Sequence, residues 1–162
     1  MGACQGGAAQ NGPGGGPHGR LAARALARLF VHVEADRLGV VYGAETGFLI
    51  ARDPDTVRAP GVAFVSRERL EQIGEPEGFV PGAPDLVIEV IPPSDRYTDV
   101  LDKVLDWQAA GARLVILINP RRRTVTAFRS RDNILVLNED ETLDAADVVS
   151  GWTLSLQDLF RG

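Results

Sequence analysis

Apolar residues recur at helical spacing in the first third of the chain, beginning near Gly19. These positions, three or four residues apart, are Leu21, Ala22, Ala25, Leu26, Leu29, Phe30 and Val33. Arg20, Arg24 and Arg28 form a column on the opposite side of the same stretch. The pattern predicts an amphipathic helix that ends near Gly39, with its apolar side on the core and its arginines in solvent.

A second helical pattern follows the middle of the chain. Its apolar positions are Val100, Leu101, Val104, Leu105 and Trp107. Aspartates lie on the opposite, wet face at Asp99, Asp102 and Asp106, and Gly111 is a suitable C-terminal stop. Lys103 falls at the edge of the apolar stripe, so its ammonium can reach beyond the helix.

Short runs rich in aliphatic and β-branched residues predict strands elsewhere. They cover residues 40–42, 46–51, 62–65, 85–91, 114–118, 124–129 and 134–137. The first two, separated by Gly43, predict a hairpin or meander, residues 67–73 a short helix or turn, and residues 154–160 close the fold. We therefore expect an α/β (α+β) protein, with a mixed β-sheet flanked by helices.

Length and composition predict one domain behind a leader. The chain has 162 residues, within the usual size of one domain. Residues 1–17 contain seven glycines and two prolines, too little apolar area to offset the cost of ordering them. We expect a flexible Gly-rich leader over residues 1–17 and a single domain over residues 18–162.

Charge and cysteine content exclude several classes of protein. The net charge of −5 argues against a protein that coats nucleic acid by charge alone, although an enzyme needs only a local basic patch. The single cysteine, Cys4, rules out an intrachain disulfide and a thiolate zinc site. No apolar run approaches the length of a membrane span and no signal for secretion is visible. We expect a cytoplasmic protein with no membrane association.

Glu89 is the most informative residue because the run 85–91 is otherwise apolar on both faces, as in a central strand covered on each side. An ionised carboxylate in such a strand costs several kcal/mol unless a metal, a cation or hydrogen-bond donors compensate. A metal site and a structural ion pair both remain open. Asp85 lies on the same strand face but about 13 Å away, too far to share one ion directly, and is better suited to capping the strand.

Three further sets of residues are candidates for the same site. Lys103 can extend towards the end of the Glu89 strand, or simply lay its stem along the surface. His18 opens the first helix and is either a residue at the tip of a site or an ordinary surface histidine. Arg121, Arg122 and Arg123, at a hairpin turn, and the column that starts at Arg20 are candidate phosphate contacts or merely solvated charges.

Several motifs resemble those of a known family. They are PHGRLAARALARLF, GAETGFLIA, TVRAPGVAFVSRERL, PDLVIEVIPPSDR and WQAAGARLVILINP, with Lys103 between the last two. Over about residues 17–160 the chain is similar to the Uma-type family of putative restriction endonucleases in the PD-(D/E)xK nuclease superfamily. The resemblance implies a restriction-endonuclease-like fold and hydrolysis of DNA phosphodiester bonds.

The resemblance also implies a mechanism, in which an aspartate and a glutamate hold Mg²⁺ or Mn²⁺ while a lysine acts on the attacking water. Glu89 then corresponds to the second metal ligand and Lys103 to a lysine displaced onto the following helix, both catalytic, with Asp85 as a further acidic candidate. The first ligand should follow Pro60, where family members carry Pro-Asp, but this chain has Gly61. Glu45, Asp55 or Asp85 could substitute if the fold brings one of them close.

We therefore expect a Mg²⁺-dependent endonuclease acting on DNA and impaired by Gly61. One alternative is a catalytically silent nuclease fold that binds nucleic acid or a protein. Another is a structural homodimer in which Glu89 is locked in an ion pair with Lys103. Because the leader differs from the usual start of the family, one edge of the sheet is expected to be uncovered or paired with another subunit, and a homodimer is the expected assembly.

Overall fold

A six-stranded mixed sheet frames the fold in a computed structural model that describes residues 15–94 and 96–162. The elements, in chain order, are α1 (Gly16–Asp36), β1 (Gly39–Tyr42), β2 (Phe48–Ala51), β3 (Thr56–Arg58), β4 (Val62–Ser66), α2 (Arg67–Ile73), β5 (Val80–Pro81), β6 (Leu86–Val90), α3 (Tyr97–Ala109), β7 (Leu114–Asn119), β8 (Thr124–Ser130), β9 (Asn133–Asn138), β10 (Thr142–Asp144), β11 (Thr153–Ser155) and α4 (Leu156–Leu159).

The strands of the main sheet follow the order β1-β4-β6-β7-β8-β9. Strands β6 and β7 are parallel, with α3 as their crossover, and every other neighbouring pair is antiparallel. A three-stranded sheet of β3, β2 and β5 and a pair of β10 and β11 complete the architecture. Strand β6 therefore lies inside the main sheet, as the apolar run around Glu89 predicts.

The two faces of the main sheet are covered by different helices. On β6, Leu86, Ile88 and Val90 pack in the core cluster that contains the buried residues of α1 and of the C-terminal segment. Val87 packs in the cluster that contains the buried residues of α3. Because side chains alternate along a strand, Glu89 faces the α3 side together with Val87.

The predicted helices and buried strands are confirmed, with differences at their ends. Helix α1 begins at Gly16, before the expected Gly19, because Pro17 in its first turn has a preset φ that suits a helix start. The short strands β3, β5, β10 and β11 were not predicted as separate strands. The expected leader lies largely outside the described residues. None of the helices within residues 15–94 and 96–162 has the length and apolar character needed to cross a bilayer.

The expected hairpin between the first two strands is wrong. Strand β1 pairs with β4 in the main sheet, whereas β2 pairs with β3 and β5 in the smaller one. The connection includes Glu45 in the left-handed region, at φ 75°. Local alternation predicts that a segment is a strand, but the partner is selected by packing between segments distant in sequence.

Candidate active site

A cavity of about 480 Å³ lies where strand β6 ends, between the sheet and α3. The cavity is lined by the start of α1, Ala44, residues 59–62, residues 88–94, the inner face of α3 and two residues of β7, Val115 and Leu117. Its walls are mostly apolar, and its polar side chains include His18, Glu89, Lys103 and Trp107. A mostly apolar cavity with a few convergent polar groups is the usual form of a ligand or active site.

The Glu89 carboxylate is in the wall of this cavity. Its Oε1 accepts a hydrogen bond from the Gly61 N–H at 3.1 Å. The side chain is only partly exposed, and burial raises the pKa of Glu89 above its ordinary value of 4.5. The Gly61 N–H, the charge of Lys103, the indole N–H of Trp107 and the charge of Arg58 lower that pKa, in decreasing order, without offsetting burial. Glu89 is thus a desolvated carboxylate that still opens onto a cavity.

Gly61 directly faces Glu89. Strand β4 starts at the next residue and pairs antiparallel with β6, with Val62 opposite Ile88. A Cβ atom on Gly61 would lie 3.8 Å from Glu89 Oε1 and 3.3 Å from the Ile88 carbonyl oxygen. The backbone of Gly61 is outside the left-handed region, so a side chain here causes no backbone strain, but the Ile88 carbonyl oxygen must shift by a few tenths of an ångström. An acidic residue at position 61 would place its carboxyl group beside Glu89.

Cationic groups approach Glu89 from two elements. Lys103 of α3 lines the cavity, and its charge lowers the Glu89 pKa more than that of Arg58 does. Arg58, on β3, was not among the site residues predicted from the sequence. Its Nη2 donates a 2.6 Å hydrogen bond to Asp106 Oδ2, which holds β3 against α3. No local signal marks Arg58, because a three-residue strand in a turn-rich stretch has no readable periodicity.

Two polar atoms of cavity-lining residues lack partners. His18 Nδ1 and Trp107 Nε1 are buried without a hydrogen bond within residues 15–94 and 96–162. The Trp107 N–H favours the charged form of Glu89, but its geometry falls short of a hydrogen bond. Buried polar groups normally have hydrogen-bond partners, so these two atoms are suited to form hydrogen bonds with a molecule bound in the cavity. Trp107, predicted as core, is therefore both core and cavity wall.

The other acidic candidates lie elsewhere. Asp85 is 7% exposed, and its Oδ2 accepts a 2.7 Å hydrogen bond from the Ser66 N–H at the opposite end of β6. Arg113 Nη1 is 3.8 Å from Asp85 Oδ1. Glu45 and Asp55 are exposed in turns, and none of these three acidic residues lines the cavity. The fold thus brings Glu89, Lys103, His18 and Gly61 together and keeps Asp85, Glu45 and Asp55 apart from them.

The donor set fits a divalent cation only weakly. Among the described residues that line the cavity, Glu89 is the one carboxylate, and the described ranges contain no group of three or more His, Cys, Asp or Glu side chains suited to a metal. Mg²⁺ is commonly held by one or two carboxylates together with water and substrate phosphate. Glu89 can supply one such ligand, and the cavity that Glu89 lines leaves room for water.

The arginines predicted as phosphate contacts differ in whether other residues of the protein already bind them. The turn that carries Arg121, Arg122 and Arg123 follows β7, at the same end of the sheet as Glu89. Arg123 makes two 2.9 Å hydrogen bonds to Glu139, and Arg20 Nη1 donates to the Gly162 carbonyl at 3.3 Å. The side chains of Arg121 and Arg122 are exposed and make no ion pair within the described ranges.

Comparisons with known proteins identify the family and the fold of this chain. The model of the Uma2 family, described as putative restriction endonuclease, matches residues 3–157. A solved structure of a putative nuclease belonging to DUF820 from Anabaena variabilis has a TM-score of 0.78 and 23% identity, and covers 93% of this chain and 84% of that chain. Among curated proteins, none matches. The expected restriction-endonuclease-like fold is confirmed by this structural match.

Proposed function

This chain belongs to the Uma2 family of putative restriction endonucleases, and on that premise we propose that it hydrolyses DNA phosphodiester bonds with Mg²⁺ or Mn²⁺, at a rate reduced by Gly61. The observation that carries the proposal is the juxtaposition of Glu89, Lys103 and position 61 around one cavity. The proposed substrate is duplex DNA, with Arg121 and Arg122, which are exposed at the same end of the sheet as Glu89, as phosphate contacts.

The residues have separate roles in this proposal. Glu89 binds the cation, and the Gly61 N–H fixes Oε1 so that the carboxylate keeps one orientation. The cation, when bound, would supply a water of lowered pKa and neutralise charge on the phosphate. Lys103 positions the attacking water and stabilises the negative charge that develops on the phosphoryl group. His18 Nδ1 and Trp107 Nε1 offer hydrogen bonds to the bound substrate or its water.

Gly61 weakens the site because it brings no side-chain oxygen to the position beside Glu89 where the first metal ligand belongs. A cation held by one protein carboxylate keeps more water and is positioned less firmly. The reaction should therefore need a high concentration of cation. Catalysis should be impaired far more than folding, since Gly61 has an ordinary backbone conformation.

The test compares the natural chain with Gly61→Asp and with the neutral control Gly61→Asn. Magnesium binding is measured by calorimetry, and cleavage by the nicking of supercoiled plasmid with Mg²⁺ or Mn²⁺. Gly61→Asp should raise affinity and nicking by at least about tenfold, equivalent to about 1.4 kcal/mol, while Gly61→Asn should do neither. A correctly folded Gly61→Asp protein with unchanged magnesium affinity would refute the assignment of position 61.

A second candidate function is binding of nucleic acid without cleavage. It is favoured by the single carboxylate among the described cavity-lining residues and by the exposed Arg121 and Arg122 at the same end of the sheet. In this case both the natural chain and Gly61→Asp bind duplex DNA but leave plasmid intact at saturating Mn²⁺. Nicking by either protein excludes this second candidate.

A further inference from the structure

Strand β9 forms one edge of the main sheet and carries an unusual row of exposed aliphatic side chains. Ile134, Leu135 and Val136 are 50%, 46% and 60% exposed. The strand pairs with β8 on one side and with no described strand on the other. An edge with exposed apolar side chains and unpaired backbone groups readily adds another strand, so proteins normally blunt or cover such edges.

We propose that β9 pairs antiparallel with β9 of a second copy of this chain, about a two-fold axis at Leu135. The partner offers the same six-residue strand, so every exposed aliphatic residue meets an apolar residue of the other copy. Such an interface is isologous and closes after two copies, which prevents further growth along the edge. The proposal is independent of nuclease activity.

Backbone geometry restricts the possible registers. Along β9 alternate residues turn their N–H and C=O groups outward, and a directly opposed antiparallel pair must turn them the same way. When a strand pairs with its own copy, opposed residues are therefore separated by an even number of positions. The axis consequently passes through a residue, and the two registers with the greatest overlap place it at Leu135 or at Val136.

Side-chain chemistry separates these two registers. With the axis at Leu135, Ile134 opposes Val136 twice, and in the turns beyond the strand Arg131 of each copy falls opposite Glu139 of the other, which Arg123 of its own copy also binds. With the axis at Val136, Ile134 opposes the polar Asn138, and in the turns Asp132 falls opposite Asp140 and Arg131 opposite Glu141. Opposed unlike charges and aliphatic pairs stabilise a sheet, whereas like charges destabilise it. The Leu135 register is therefore favoured.

Pairing of the two β9 strands also continues the apolar surface on both faces of the main sheet. Ile134 opposes Phe128 of β8, so both side chains lie on the face that α3 covers further along the sheet. Leu135 opposes Ala127, on the face that α1 covers. The two-fold axis is perpendicular to the sheet, and the cavities of both copies therefore lie on the same side of the joined sheet.

The first experiment measures association of the full chain by sedimentation velocity over a range of concentrations. The natural chain should form a dimer as its concentration rises. Val136→Lys, which places a charge on the shared edge, should raise the dimer dissociation constant at least tenfold. The matched control is Val31→Lys on α1, where Val31 is 67% exposed, and it should leave the constant unchanged. A natural chain that stays monomeric, or a Val136→Lys chain that dimerises equally well, would overturn the proposal.

The second experiment tests the register with the substitution Cys4→Ser as background. At the axis Leu135 opposes its own copy at a Cα separation of about 4.5–5.5 Å, within the range of a disulfide. Leu135→Cys should therefore cross-link in mild oxidant, and Val136→Cys, displaced along the strand from its copy, should cross-link much less. Preferential cross-linking through Val136→Cys would reject the Leu135 axis.

Discussion

At the scale of single residues, the charged form of Glu89 lowers the stability of the fold, yet its carboxylate opens onto the cavity. Burial raises its pKa, whereas the Gly61 N–H and the charge of Lys103 are insufficient to offset burial. A charged group held in a poorly solvating position is typical of functional sites, where stability is sacrificed for activity. Gly61 is the other residue that distinguishes this site, because the position beside the Glu89 carboxylate has no side chain.

Glu89→Gln should raise the free energy of unfolding at pH 7. Because the folded-state pKa of Glu89 lies above its ordinary value of 4.5, stability is greatest below that value and is lost as pH rises through the folded pKa. The amide of glutamine does not ionise, so stability is not lost as pH rises, and its oxygen can still accept a hydrogen bond from the Gly61 N–H. Urea unfolding at pH 7 and pH 4 should show a gain that shrinks at the lower pH.

The natural comparison for that variant is Glu139→Gln, since hydrogen bonds from Arg123 lower the pKa of Glu139. Its contribution to stability is present above the unfolded-state pKa and is lost as pH falls through the folded pKa. Glu139→Gln should therefore destabilise the protein slightly at pH 7. If both variants shift stability in the same direction, the environment assigned to Glu89 is incorrect.

Lys103→Ala, introduced into Gly61→Asp, should abolish nicking while magnesium stays bound. The reason is that Lys103 acts on water and phosphate in the proposed mechanism, not on the cation. Calorimetry and the plasmid assay on the same preparation provide the two readouts, with Gly61→Asp as the control. Loss of magnesium affinity together with activity would indicate that Lys103 organises the metal site instead.

At the scale of elements, β6 carries a carboxylate near each end and uses them differently. Asp85 precedes its first residue and joins the strand to Ser66 and Arg113, while Glu89 opens onto the cavity. The backbone carbonyl of Asp85 also accepts bonds from the N–H groups of Arg113 and Leu114. One end of this strand therefore holds neighbouring segments together, and the other end faces the cavity of the proposed site.

Asp85→Ala should lower the free energy of unfolding by about 1.5–3 kcal/mol, the usual worth of a hydrogen bond to a charged group. It should leave magnesium affinity unchanged, because Asp85 does not line the cavity. Denaturant unfolding and calorimetry measure the two quantities. Glu45→Ala, in an exposed turn, should change stability by no more than about 0.5 kcal/mol. A loss of magnesium binding in Asp85→Ala would restore Asp85 as a ligand.

At the scale of the whole molecule, a net charge of −5 makes local charge placement decisive for DNA binding. Arg20 and Arg24 hold the C-terminal segment through carbonyl oxygens, and Arg123 is engaged by Glu139. Arg121 and Arg122 are exposed beyond the end of β7. In the proposed function, these two residues are the phosphate contacts at the same end of the sheet as Glu89.

The double variant Arg121→Ala/Arg122→Ala should weaken duplex binding and reduce the slope of log affinity against log salt by roughly 2, about 1 for each lost phosphate contact. Fluorescence anisotropy in Ca²⁺ or EDTA measures binding without turnover. Arg67→Ala, at the opposite end of the sheet, should leave the slope unchanged. Equal effects of the two changes would point to nonspecific attraction across the surface.

The sequence by itself determined the features that depend on local periodicity. The three- and four-residue spacing predicts α1 and α3, and the apolar run around Glu89 predicts an interior strand, because exposure of each side chain follows directly from helix or strand geometry. The isolated charge in that strand marked Glu89 as a candidate site residue, and the structure shows it opening onto the cavity. The motif resemblance drew attention to Gly61, whose N–H donates to Glu89.

Only the tertiary structure decided which distant segments meet. It placed β1 beside β4 instead of β2, brought His18 and Lys103 to one cavity, added Arg58, and kept Asp85 at the far end of β6. No local sequence pattern predicts these contacts, because each depends on how separate elements pack together to bury their apolar faces. A local pattern fixes what a segment becomes, whereas packing fixes what it touches.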